Sequence, residues 1–302
     1  MVFTQSLKTI RAGVLEIAYI EMGPADGWPA VLSHGFPYDV NAYAQVAPIL
    51  AARGARVIVP YLRGYGPTRF LSAKTMRSGQ QAALGKDLIC LLDALGLQRA
   101  ILAGFDWGGL ASCVAAALWP QRVEGLVSYA GYDVIDLSRQ RHAFAPSLEC
   151  AMWYQHLFQS ERGRECLEDN RRALCRILWE QWSPQWTFDD ITFDRSAASF
   201  ENPDFVDVVL HSYRFAFGTE SGDPELQDLE DILATRPQIT VPAITLDGTQ
   251  DPLKPGGTAD HSVMFAGPHQ HRAFTCGHAF PFEAPEAFAE AILDVHKIAS
   301  SA

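Results

Sequence analysis

The sequence predicts an α/β fold: a mostly parallel sheet flanked by helices, interrupted late in the chain by a helical insertion. Three observations carry this prediction. Short apolar runs alternate with amphipathic segments as far as residue 129. Between about 133 and 228 the alternation stops, and the remaining periodicity is helical. It resumes at 239 and ends in a helix. The chain has 302 residues, enough for one large domain carrying such an insertion.

Residues 9–33 read as strands, with a strand-like stretch at 14–20 and a short apolar run at 29–33. A helix is predicted at 42–53 and a buried strand at 56–60. Residues 80–95 place Leu84, Leu88, Leu91, Leu92 and Leu95 at helical spacing, and Gly96 follows as a stop. Ala100-Ile101-Leu102-Ala103 reads as the next strand, 110–117 as a helix and 123–129 as another strand. The insertion is rich in Arg, Glu, Trp and Phe, and its helical spacing is clearest from 166 to 182. Turns containing proline occur at Ser183-Pro184 and Asn202-Pro203. Residues 239–246 restore the strand pattern, and 285–298 form the closing helix. The expected organisation is a first core part at 1–132, a helical cap at 133–228 and a second core part at 229–302.

Composition narrows the function classes. A formal net charge of −11 argues against a nucleic-acid partner. The N-terminus shows no basic segment followed by an apolar run, and no apolar stretch is long enough to span a bilayer. Cys90, Cys113, Cys150, Cys166, Cys175 and Cys276 are scattered, with no CxxC pair and no metal-ligand spacing. Free thiols in a reducing cytoplasm are the expectation. Neither a metal nor an organic cofactor is expected. The oligomeric state is open, and a homodimer is compatible with the chain.

Gly104-Phe105-Asp106-Trp107-Gly108 has the outline of a nucleophile elbow, in which a strand turns sharply into a helix and exposes the central side chain. The usual Ser is replaced by Asp106. A carboxylate is a poor nucleophile towards an acyl carbon. It can attack a saturated carbon bearing a leaving group and form an alkyl-enzyme ester. The plain alternative is a strand-to-helix turn whose Asp caps the helix.

Three further segments complete the chemistry. His34-Gly35-Phe36-Pro37 follows a predicted strand and can aim the Phe36 N–H beside that of Trp107, making a pair of oxyanion donors. Asp251 lies just beyond the strand at 239–246, and His278 lies before the last helix. Nucleophile, acid and His follow one another in the chain order this elbow requires. His278 would activate water, and Asp251 would fix its tautomer. Asp247 competes as the acid but sits closer to the strand end. His261, His269, His271 and His296 read as structural or surface groups.

Taken together, His34-Gly35-Phe36-Pro37, Arg63-Gly64-Tyr65-Gly66, the Asp106 elbow and Gly277-His278 resemble an epoxide hydrolase of the α/β-hydrolase fold. The likeness extends over nearly all of the chain. It implies two cap tyrosines that donate hydrogen bonds to the epoxide oxygen. Tyr154 and Tyr213 match those positions, with Tyr129 and Tyr132 as substitutes. It also implies a small-molecule epoxide and water as reactants, and no cofactor. Arg63-Gly64-Tyr65-Gly66 would shape a loop, and Trp153, Trp179, Trp182 and Trp186 would pack. The chain is similar as well to haloalkane dehalogenases, which use the same acidic nucleophile. Such an enzyme needs N–H donors for a halide. Phe36 stands where an Asn often supplies one, so a cap Trp would have to serve. Fluoroacetate-type enzymes carry Arg after the nucleophile, where this chain has Trp107.

Overall fold

The computed structural model describes residues 6–301. Nine strands form one sheet: β1 (Lys8–Ala12), β2 (Leu15–Met22), β3 (Trp28–Ser33), β4 (Ala55–Pro60), the two-residue β5 (Arg69–Phe70), β6 (Ala100–Gly104), β7 (Val123–Tyr129), β8 (Ala243–Gly248) and β9 (His269–Phe274). The order is β1-β2-β4-β3-β6-β7-β8-β9, with β5 on β2. Strands from β4 to the β9 edge run parallel, whereas β1 and β2 are antiparallel. The inner strands are buried along nearly their whole length, as strands covered on both faces must be. Helices α1 (Val46–Ala51), α2 (Gln81–Ala94), α3 (Trp107–Leu118), α10 (Phe280–Glu283) and α11 (Pro285–Ser300) flank this sheet. They pair off as α1 with α11 and α2 with α3.

Between β7 and β8 lie α4 (Pro146–Ala151), α5 (Trp153–Leu157), α6 (Glu161–Trp182), α7 (Asp190–Ala197), α8 (Phe205–Phe217) and α9 (Gln227–Ala234). No strand interrupts them, in keeping with the loss of alternation in the sequence. None of the described helices is long and apolar enough to cross a membrane.

Strand order locates the site. From β3 the chain moves outward to β4, then returns to place β6 on the other side of β3. The connections that follow β3 and β6 therefore lead to opposite sides of the sheet, to β4 and to β7, and a crevice opens at the C-terminal ends of β3 and β6. His34 to Pro37 leave β3 there, and Asp106 leaves β6. The close approach of the two loops requires glycine. A Cβ on Gly108 would collide with the Ser33 backbone, and one on Gly35 would collide with the Asp106 carboxylate.

Most expected elements are present, and the departures have physical causes. The helix expected at 42–53 is a 3₁₀ turn at Val40–Tyr43 followed by α1. Pro48 cannot donate to the Ala44 carbonyl and would clash with it, so an α-helix cannot already be running at Ala44; Pro48 instead falls in the first turn of α1, where a backbone N–H has no intrahelical acceptor. The strand expected at 239–246 begins at Ala243, because Pro242 lacks the N–H needed to join the ladder. Ile239 retains only an isolated bridge to Phe265. The edge strand β9 was not expected at all. Gly96 takes φ +68° just after α2, as anticipated for the stop residue.

Candidate active site

Asp106 stands at the turn between β6 and α3 with φ 51° and ψ −129°. That conformation is strained for a residue with a side chain, at a cost of about 1–3 kcal/mol. It lifts the carboxylate off the sheet into the crevice. Phe36 donates its N–H to Asp106 Oδ1 at 2.6 Å. Trp107 opens α3, where a backbone N–H has no intrahelical acceptor. Of the two expected donors, Phe36 thus contacts the carboxylate, and the Trp107 N–H follows it in the chain without an intrahelical acceptor. Burial holds the His34 imidazole down to about 4, so it stays neutral. Its Nδ1 lies 3.1 Å from Gly35 O, and its Nε2 accepts from Leu62 N at 3.1 Å, which pins the loop carrying Phe36.

The second Asp106 oxygen, Oδ2, lies 3.3 Å from His278 Nε2, and His278 Nδ1 lies 2.7 Å from Asp251 Oδ2. The expected chain from nucleophile to His to acid is therefore brought together. Burial alone would press the His278 imidazole down. The charges and hydrogen bonds of Asp251 and Asp106 outweigh it and push the group up to about 10. For Asp251, burial favours the neutral acid. The His278 charge, with hydrogen bonds from His278, Leu253 and Tyr129, overcomes this and lowers its pKa. Asp247, the competing acid, bonds to Thr258 and His271 instead.

Tyr154 on α5 and Tyr213 on α8 stand at right angles, 5.3 Å between ring centroids. Arg214 fixes their relation: its Nε donates to Phe158 O at 2.9 Å, tying α8 to the end of α5. Both phenols line one cavity of about 380 Å³ with Asp106, Trp107 and His278. This is the size of a small-molecule pocket. Burial raises both phenols well above their ordinary range, so they remain proton donors at any working pH. The alternatives are occupied elsewhere. Tyr129 places its hydroxyl 2.9 Å from both Asp251 Oδ2 and Gly277 O, and Tyr132 donates to Pro237 O.

Several residues at the site escaped sequence reasoning. Gln155 donates to the Tyr154 oxygen at 3.0 Å, which leaves the phenol proton free to point elsewhere. Tyr129 supports the acid from behind. Asp133 and Lys254 line the cavity as an ion pair. His261, expected to be structural or at the surface, lines it too. By contrast, His269 bonds to Thr245, His271 to Asp247, and His296 stacks on Trp28. Arg63 makes a bidentate pair with Asp87 at 2.7 Å and donates to Ser78 O, so it does brace its loop. Trp179 donates to Pro37 O, and Trp182 packs on His278, so both serve the scaffold. Among the described residues, no group of three or more His, Cys, Asp or Glu converges as a metal site.

The α/β hydrolase fold family matches residues 29–285. The chain belongs to that family. This α/β hydrolase is 44% identical to a candidate epoxide hydrolase of known structure from Klebsiella pneumoniae, with a TM-score of 0.95 over 96% of this chain and 97% of that one. It is 32% identical over 163 residues to epoxide hydrolase B of Mycobacterium tuberculosis, covering 49% of this chain and 45% of that protein. Over 108 residues it is 35% identical to a haloalkane dehalogenase of Psychrobacter cryohalolentis, covering 36% of this chain and 35% of that one. Each of these two matches thus spans less than half of the relative's own length.

Proposed function

We propose that this α/β hydrolase opens an epoxide to a vicinal diol through an ester on Asp106. The observation that carries the reading is one cavity presenting Asp106 and two buried phenols together. Asp106 Oδ2 attacks an epoxide carbon while Oδ1 stays on the Phe36 N–H. Tyr154 and Tyr213 donate to the epoxide oxygen as its C–O bond breaks and negative charge builds there. The helical segment between β7 and β8 acts as the cap that carries these phenols. In the second half, His278 Nε2 takes a proton from water, which attacks the ester carbonyl carbon. The Phe36 and Trp107 N–H groups hold the resulting oxyanion. Collapse expels the diol and restores the Asp106 carboxylate.

The electrostatics suit this order of events. Before reaction the Asp106 charge favours a protonated His278. Ester formation removes that charge, so His278 releases its proton more readily; that proton restores the phenol that protonated the epoxide oxygen, and the neutral imidazole can then act as a base. Asp251 keeps the ring oriented throughout.

Halide release is the competing reading. Likeness to the dehalogenases would assign the second N–H donor, besides Trp107, to a cap Trp. The Trp182 indole N–H lacks a partner, but its side chain is fully buried and does not line the cavity. Phenols, by contrast, are suited to a leaving oxygen, which needs a proton where a halide does not.

A panel of styrene oxide, an aliphatic epoxide, a haloalkane and fluoroacetate, scored for diol or halide, tests the assignment. Diol formation is expected. Tyr213→Phe should slow epoxide opening on the order of 10²-fold, Tyr154→Phe similarly, and the double variant more severely. Folding should hardly change, since each variant keeps its ring. Faster halide release than epoxide opening by the unaltered enzyme would overturn the reading, as would full epoxide activity in both single variants.

A further inference from the structure

The cavity has two unlike walls. Phe144, Leu148, Met152 and Phe215, all from the segment between β7 and β8, give it an apolar side. The loops after β7 and β8 give it a polar one, built from Asp133, Lys254 and His261. Lys254 Nζ lies 3.3 Å from Asp133 Oδ1, and the two side chains keep 35% and 19% of their surface. Both residues line the cavity. Among the described residues, Asp133 Oδ2 and the Lys254 ammonium have no other side-chain hydrogen-bond partner. His261 accepts from Tyr132 N at Nδ1, so its proton sits on Nε2. Burial lowers its pKa, which keeps it a neutral donor.

A cavity meant for purely apolar epoxides gains nothing from such a wall. Withdrawing an ion pair from water is costly, and an apolar pair of similar volume is often as stable. The wall offers donors (Lys254 Nζ and His261 Nε2–H) beside a carboxylate acceptor (Asp133 Oδ2). One substrate hydroxyl can use both kinds at once. A substrate carboxylate fits less well, because it would meet Asp133 as well as the nearby Asp106 charge. Burial, helped by that charge, already holds the Asp133 carboxyl up at about 6 against the pull of Lys254.

We infer that Asp133, Lys254 and His261 form a subsite for a hydroxyl group, so that the substrate is an epoxy alcohol whose hydroxyl lies away from the ring. The inference rests on the epoxide-opening reading above. The hydroxyl docks on the core loops, the carbon chain lies along the helical wall, and the epoxide reaches Asp106. Hydrogen bonds to charged partners of this kind correspond to about 10- to 100-fold in selectivity.

The test compares kcat/KM for 1,2-epoxyalkanes and their ω-hydroxy counterparts over chains of four to eight carbons. The hydroxy compound should be preferred at least 10-fold at one chain length or more. In the double variant Asp133→Val/Lys254→Met, which leaves neither charge unpaired, that ratio should fall towards one. Calorimetric binding of hexane-1,2,6-triol against hexane-1,2-diol gives a readout independent of turnover, and the triol should bind more tightly. If no epoxide is opened but the triol is preferred, the reaction assignment fails and the subsite stands. Equal kcat/KM at every chain length would overturn the subsite, and so would a preference unchanged in the double variant. A preference for 5,6-epoxyhexanoate would overturn it in favour of an anion site. If the double variant does not fold, the ratio in the unaltered enzyme decides.

Discussion

Asp106→Ala is expected to lower epoxide turnover by on the order of 10⁴-fold or more, the scale seen when a covalent nucleophile is removed. Nothing else in the cavity can replace it. Asp133 is committed to Lys254, and Asp251 to His278. The same variant should change His278 in a definite direction. In the unaltered protein burial presses the imidazole down, but Asp251 and then Asp106 outweigh it and push the group up to about 10. Deleting one negative neighbour disfavours the imidazolium, so the pKa should fall, while Asp251 keeps part of the elevation. Histidine titration by NMR checks this. Substantial epoxide turnover in the variant would remove Asp106 from the mechanism, and an unmoved His278 would contradict the coupling across 3.3 Å.

His278→Gln is the second large effect, and it separates the two half-reactions. If His278 serves only to activate water, the variant still alkylates Asp106 but hydrolyses the ester about 10²- to 10⁴-fold more slowly. The protein should therefore gain the mass of one substrate molecule, and the added mass should map to the peptide containing Asp106. Loss of activity without such an adduct would give His278 a part in the first step. Trp182, packed 5.1 Å from the imidazole between ring centroids, should hold the Gln side chain in the same slot.

Much of this site could be read from the sequence because its parts are local motifs. The Asp106 elbow, the Phe36 turn and the Gly277-His278 segment each end or begin a recognisable element. Their chain order then supplied the relation among residues 145 and 27 positions apart, from Asp106 to Asp251 and from Asp251 to His278. The edge strand β9 was hidden because its first four residues, His269, Gln270, His271 and Arg272, are polar, none of the strand is fully buried, and it lies at the edge of the sheet. An apolar-run criterion cannot see such a strand. The Asp133–Lys254 pair was hidden for a different reason. It spans 121 positions and meets only because β7 and β8 are neighbours in the sheet, so that the loops following them converge. Gln155 and Tyr129 act through side-chain direction, which spacing along the chain does not report.

The most direct test of the central claim is a single turnover in water enriched in heavy oxygen, with enzyme in excess over epoxide. An ester on Asp106 is cleaved by attack of water on its carbonyl carbon. The label should then appear in the Asp106 carboxylate, while the diol carries one oxygen from the epoxide and one from unlabelled Asp106. Label found in the diol, with none on Asp106, would mean that water attacks the epoxide directly and would contradict the covalent mechanism.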